Sequence, residues 1–179
     1  MVKNNTKYSL VIEDGKEVTK MPLSYYAISS IASDLADHKD NTKYFSILSH
    51  HPSVDVRSNI AAKEKLDNET ALRLAKDSSI AVLRAISSNV VFKKIATIEM
   101  LENLIKLDEE IARNIAYNIG GYSECDIDKI VELLLQTESP ETLYNLVSNS
   151  DLPKKHVKNL LNHPDPKVAT EAKYRLENN

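Results

Sequence analysis

The sequence predicts an all-α fold: a right-handed α-α solenoid of about five short helical repeats, with a small β-hairpin at its N-terminal end. Three observations carry this reading. A pattern of small aliphatic residues recurs at a constant separation of 26, so that Val54, Val56 and Ile60 match Ile80, Val82 and Ile86. The apolar palette is Leu, Ile, Val, Ala and Tyr, with no Trp, 2 Phe and only 3 Gly among 179 residues, which suits closely stacked short helices and few long loops. Before position 22, apolar residues alternate with polar ones instead of recurring every three or four positions.

Taken in order, Tyr8, Leu10 and Ile12 alternate with Ser9, Val11 and Glu13, and Asp14-Gly15 supplies a favoured tight turn before Lys16 to Thr19. This reads as a hairpin, with a frayed polar arm as the alternative. Two strands are marginally stable alone, so the apolar side is expected to dock on the first helices. The chain therefore divides into residues 1-21, a hairpin or arm packed on the first helices, and 22-179, the helical-repeat domain. Pro22 ends the extended segment, the following helix places Ile28, Ile31 and Leu35 on one stripe, and Asp37 to Asn41 form a polar break.

Repeats begin there. His51 to Ala62 aligns with Asp77 to Ser88; Leu107 to Asn118 follows after a three-residue insertion; Glu138 to Asn149 is more divergent; His163 to Ala172 returns clearly, with Val168 matching Val56 and Val82. The intervening halves, from Asp40, Leu66 and Leu152, share a polar start and one or two leucines. Pro153 fits a first helical turn, where its missing donor costs little. Asp67, Asp108, Asp126 and Asp151 are expected to accept exposed amides at helix starts.

The motif Asp/His, a polar or Pro linker, then Val-x-Val-Arg-x-x-Ile-Ala is represented by His51 to Ala62, Asp77 to Ser88 and His163 to Ala172. It resembles the HEAT-like group of repeats and, in its spacing, most resembles the bacterial leucine-rich repeat variant, over roughly residues 40 to 179. That resemblance implies units pairing an α-helix with a shorter helix, often of tighter winding. Insertions after Asn89 and Gly120 depart from the pattern and enlarge units three and four. Some members of that family carry a cysteine-bound iron-sulfur segment, which the single Cys125 gives no basis for carrying over.

Composition narrows the chemistry. A formal charge of -3 lacks the basic balance of a simple nucleic-acid binder and offers no general attraction to an anionic membrane. One cysteine builds neither an intrachain disulfide nor a thiolate metal site. No run approaches the roughly 20 apolar residues of a membrane span, and the start lacks the apolar core of a secretory signal, so a cytoplasmic protein is expected. His38, His50, His51, His156 and His163 have no spacing that compels a metal site, and His51 and His163 share the repeat position of Asp77, which suggests a turn or cap role. Ser29-Ser30 and Ser87-Ser88 lack a nucleophile-elbow motif. Cys125, among Glu124, Asp126 and Asp128, reads as passive, and Gly120-Gly121 as a chain reversal. Neither a catalytic set, a cofactor nor a metal is expected.

Arg57, Arg84 and Arg113, with Asn59, Asn89, Asn114 and Asn118, lie near one helical layer. They form either a partner-binding strip or a set of solvated and inter-repeat hydrogen-bonding residues. In the former case Arg84→Glu is expected to weaken partner binding with circular dichroism nearly unchanged. Between Glu99 and Thr142, eleven acids face three bases, a balance of -8, whereas residues 151 to 179 carry +2. Such an uneven field disfavours an extended nucleic-acid backbone and suits a protein partner with patches of both signs. The expected function is a noncatalytic protein-interaction adaptor or inhibitor, monomeric or weakly self-associating, binding through one face of residues 50 to 120. The alternatives are a nucleic-acid-binding repeat protein and a DNA-glycosylase-like repeat enzyme.

Overall fold

The structure, a computed structural model, describes residues 7–13, 15 and 17–178. Strands β1 (Ser9–Glu13) and β2 (Val18–Pro22) pair antiparallel, from Ser9 opposite Pro22 to Glu13 opposite Val18. The connection includes Gly15 at φ +89°, a left-handed conformation that favours glycine; Asp14 and Lys16 lie outside the described residues.

Twelve α-helices follow among the described residues: α1 (Tyr25–Asp34), α2 (Thr42–Leu48), α3 (Val54–Ala61), α4 (Asn68–Leu74), α5 (Ile80–Ser87), α6 (Val90–Ile95), α7 (Ile98–Leu107), α8 (Glu109–Tyr117), α9 (Ile127–Leu135), α10 (Pro140–Ser148), α11 (Lys154–Asn159) and α12 (Pro166–Asn178). Short 3-10 turns occupy Lys39–Asn41, in the expected polar break, and Ile119–Gly121, at the expected chain reversal. Helices α1, α3, α5, α8, α10 and α12 pack each on the next in one layer, and α2, α4, α7, α9 and α11 each pack on the partner that follows in sequence. This is an all-α helical-repeat solenoid preceded by a hairpin. The insertion after Asn89 is helical: it forms α6, which Asn89 itself caps by accepting the amides of Val91 and Phe92.

The repeated aliphatic positions are the core. Val56, Ile60, Val82, Ile86, Ile111 and Ile115 are all completely buried, and Leu146 and Val168 continue the row. At the same two positions unit four buries Thr142 and Leu146, and unit five Val168 and Ala172. One expected core position fails: Ile31 is exposed, and Ala32, one residue further round the helix, takes the buried place beside Ile28 on the face that packs on α3.

The hairpin is anchored to the array at its base. The Leu23 amide donates to the Tyr8 carbonyl at 3.0 Å, and both side chains pack on the core. Tyr8 and Tyr25 flank the buried His51 ring, with centroids 5.0 and 5.3 Å away. Every strand residue remains exposed, including Leu10, Val11, Ile12, Val18 and Met21.

Candidate functional site

Two ladders of polar side chains stitch the repeats together, and between them they absorb most of the residues that the sequence marks for binding. The first lies at the helix starts of the layer α3, α5, α8, α10 and α12. In four of the five, the side chain two residues before the cap folds back onto the cap amide: His51 Nδ1 accepts from Ser53 at 3.0 Å, Asp77 Oδ1 from Ser79 at 2.8 Å, Thr137 Oγ1 from Ser139 at 3.4 Å and His163 Nδ1 from Asp165 at 3.1 Å; α8 has Lys106 at that position, with no acceptor to offer. The shared repeat position of His51, Asp77 and His163 is thus a turn position. An accepting Nδ1 places the His51 proton on Nε2, and burial, followed by the nearby Arg57 charge, holds this imidazole below its ordinary pKa.

The arginines of one unit grip the helix start of the next, Arg57 at the turn position and Arg84 at the cap itself. Arg57 Nε and Nη2 donate to the two oxygens of Asp77 at 2.6 and 3.0 Å, and Nη1 donates to the His51 and Pro52 carbonyls. Arg84 makes the same fork one joint later, to the Asp108 oxygens at 2.9 and 2.7 Å, with Glu110 at 2.5 Å from Nη1. Hydrogen bonds from Arg84 hold the Asp108 carboxyl below its usual range, aided by the Ile111 amide that it caps.

The second ladder lies at the helix ends. The residue ten positions after each cap is Lys63, Asn89, Asn118, Asn149 or Arg175. Four of these donate back to carbonyls at the helix ends of the preceding unit, where carbonyls run out of intrahelical donors: Lys63 to Ser33 and Leu35, Asn89 to Ala61 and Lys63, Asn149 to Ala116 and Tyr117, Arg175 to Val147 and Ser150. Asn118 instead donates to the Asn114 carbonyl and accepts from Lys93, and the buried Tyr122 hydroxyl takes over by donating to the Ser87 carbonyl at 2.8 Å. Asn59 donates to the Ser29 carbonyl and hydroxyl. Sequence periodicity at this tenth position is the signal that would have revealed the ladder.

Asp67, Asp108 and Asp126 cap helices as expected, accepting from Thr70, Ile111 and Asp128. Asp151 does not. Pro153 stands at the cap of α11, and the Asp151 side chain lies over Gly120, where an added Cβ would meet its Oδ2 at 2.0 Å. Cys125 is half-buried and donates to the Ala96 carbonyl; burial and then Glu124 push its pKa up, the opposite of nucleophile activation. Among the described residues, no group of three or more His, Cys, Asp or Glu side chains converges to hold a metal.

Arg113 differs from its counterparts. It occupies the position of Arg84, but the Asp108 position of the next unit is Ser139 and the Asp77 position is Thr137. Ser139 caps α10 and donates to Glu109 at 2.7 Å. The Arg113 Nε is buried without an acceptor, and no ion pair joins its guanidinium to another described residue. It lines a groove of about 720 Å³ running across α8, α10 and α12, with Tyr144, Asn145 and Lys167 as further donors and Glu141 and Glu171 as acceptors.

A helical-repeat protein, locked at its first joints and open at a later one, is the class that this fold and site define. No known family model matches the chain, and no curated protein matches it. No helix among the described residues is long and apolar enough to cross a membrane.

Proposed function

We propose that this chain is a noncatalytic protein-interaction adaptor or inhibitor of the cytoplasm, built on repeats of the HEAT-like group akin to the bacterial leucine-rich repeat variant, and that it binds through the α8–α10–α12 face. The observation carrying this reading is the groove itself. It crosses three consecutive helices, and it holds charges of both signs where the neighbouring joints have neutralised theirs. Its position supports a shift of the binding surface from the arginines at 57 and 84, which are engaged within the scaffold, towards Arg113 and the helices that follow it. Repeat scaffolds spread many modest contacts over such a surface, and interfaces favour a central aromatic anchor, a part that the half-exposed Tyr144 fits.

Affinity capture of the protein from native lysate, with and without nuclease, followed by reconstitution from purified components, tests this. The expected result is a nuclease-resistant, stoichiometric protein complex burying about 1,200–2,000 Å² and weakened by Tyr144→Ala. Recovery of nucleic acid with no protein partner, or turnover of a substrate by the purified chain, replaces this reading with one of the other two classes.

A further inference from the structure

We infer that Arg113 is the recognition point for a carboxylate brought by the partner, an aspartate or glutamate side chain in a mixed-charge segment that takes the place of the missing aspartate of the fourth unit; this rests on reading the face as a protein-binding surface. The array supplies its own comparison. At two successive joints a guanidinium in this layer is satisfied by a bidentate carboxylate from the following unit, Arg57 with Asp77 and Arg84 with Asp108. At the third joint the arginine is retained and the carboxylate is lost.

Its immediate surroundings do not make up the deficit. Glu141 stands where Glu110 stands in the preceding unit and lines the same groove, yet forms no ion pair with Arg113, whereas Glu110 lies 2.5 Å from Arg84. Asp165, on the far wall, turns its Oδ1 to the amides of Lys167 and Val168 and forms no ion pair with Arg113. A buried guanidinium nitrogen without an acceptor is costly, and a planar carboxylate is its best geometric match.

The remaining charges set the rest of the ligand's chemistry. Glu141 and Glu171 line the groove without ion-pair partners of their own, so a purely acidic segment is repelled. A segment with a basic residue close to its acidic one satisfies both walls.

The test uses the whole protein and two peptides, acetyl-Lys-Ser-Glu-Ser-Lys-amide and its Gln counterpart. General attraction to the acidic middle of the chain favours the more positive Gln peptide, so preference for the Glu peptide isolates the arginine. The readout is the Nε–H resonance of Arg113 in nitrogen-15 spectra. The Glu peptide is expected to shift it and to bind about tenfold more tightly than the Gln peptide, a charge-assisted hydrogen bond being the difference. Arg113→Gln is expected to erase that preference.

A second variant restores the lost group in cis. Ser139→Asp, combined with Glu109→Gln to remove the carboxylate now bonded to Ser139, keeps a good helix cap and recreates the Arg84–Asp108 geometry. In this variant the Arg113 resonance is expected to lie near that of Arg84 before any peptide is added, and to stay there afterwards. Equal affinity for the two peptides, no response of Arg113 to either at millimolar concentration, or undiminished binding by the Ser139→Asp variant overturns the inference, including where Arg113→Gln fails to fold. A captured partner that binds Arg113→Gln normally sinks the carboxylate site and leaves the adaptor; Glu-selective peptide binding with no protein ever captured does the reverse.

Discussion

The joints on either side of α8 are built from the same parts and end differently. Between α5 and α8, Arg84 closes on Asp108, and the aspartate serves both as helix cap and as counter-ion. Between α8 and α10, Ser139 caps its helix through its own side chain, but offers Arg113 no charge. Aspartate and serine are near equals as caps, so the exchange leaves local helix formation intact while opening the joint. One cap residue therefore decides whether the arginine of the preceding unit is paired within the scaffold, without disturbing the repeat.

If the two joints share one core, truncations on either side of the opening should cost alike. Ile86→Ala and Leu146→Ala each remove a fully buried side chain, and each is expected to lower stability by about 2–5 kcal/mol in urea unfolding. A much smaller cost at Leu146, or two separate transitions, would mean that the halves fold as distinct units.

The contrast in pairing should appear directly in arginine substitutions. Arg57→Met leaves the half-buried Asp77 uncompensated, with side-chain exposures of 14% and 10% for the pair, and a loss of about 1–3 kcal/mol is expected. Arg113→Met, which breaks no ion pair, is expected to be close to neutral. Arg84→Glu sets a carboxylate against Asp108 and Glu110, so it should lower the melting temperature; an unchanged melting curve would show that this fork contributes nothing. For that reason Arg113, and not Arg84, is the informative surface position for binding.

Gly120 tests the tightness of the open side. Gly120→Ala drives a methyl into the Asp151 side chain, with an expected cost of about 1–3 kcal/mol. Asp151→Gly in the same chain should recover most of it. Failure of that rescue would place the strain in the backbone.

The smallest effect expected is the pH response of the N-terminal end. His51 has its pKa lowered in the folded state by burial and by Arg57, and His50 by burial and by Arg73. Because the unfolded chain binds these protons more readily, the histidine contribution is present above the ordinary value near 6.5 and is lost as pH falls through the folded value. The urea midpoint should therefore drop between pH 7.5 and 5.5, and His51→Asn, which keeps an acceptor for the Ser53 amide, should flatten that drop. An unchanged slope would assign the response to other groups.

Much of the scaffold was legible in the chain alone. The 26-residue phase located Val56, Ile60, Val82 and Ile86 in the core, because burial of one helical face in every unit forces the apolar period to repeat. Alternation before Pro22 marked the hairpin, since strand side chains change face at every residue. The turn role of His51 and His163 followed from their alignment with Asp77, which asks only for a short acceptor two residues ahead of a cap.

Partners across a joint were another matter. Arg57, Arg84 and Arg113 look alike in sequence, whereas whether each is neutralised depends on what the next unit holds 20 to 30 residues later. The same applies to Asn89 and Asn149, whose amides are committed to carbonyls of the preceding unit, and to Ile31, displaced from the core by Ala32. Local periodicity determined which residues lie in each layer; only the packing of one unit on the next decided which charges are spent, because ion pairs and hydrogen bonds depend on distances of about 3 Å that a repeat pattern does not encode.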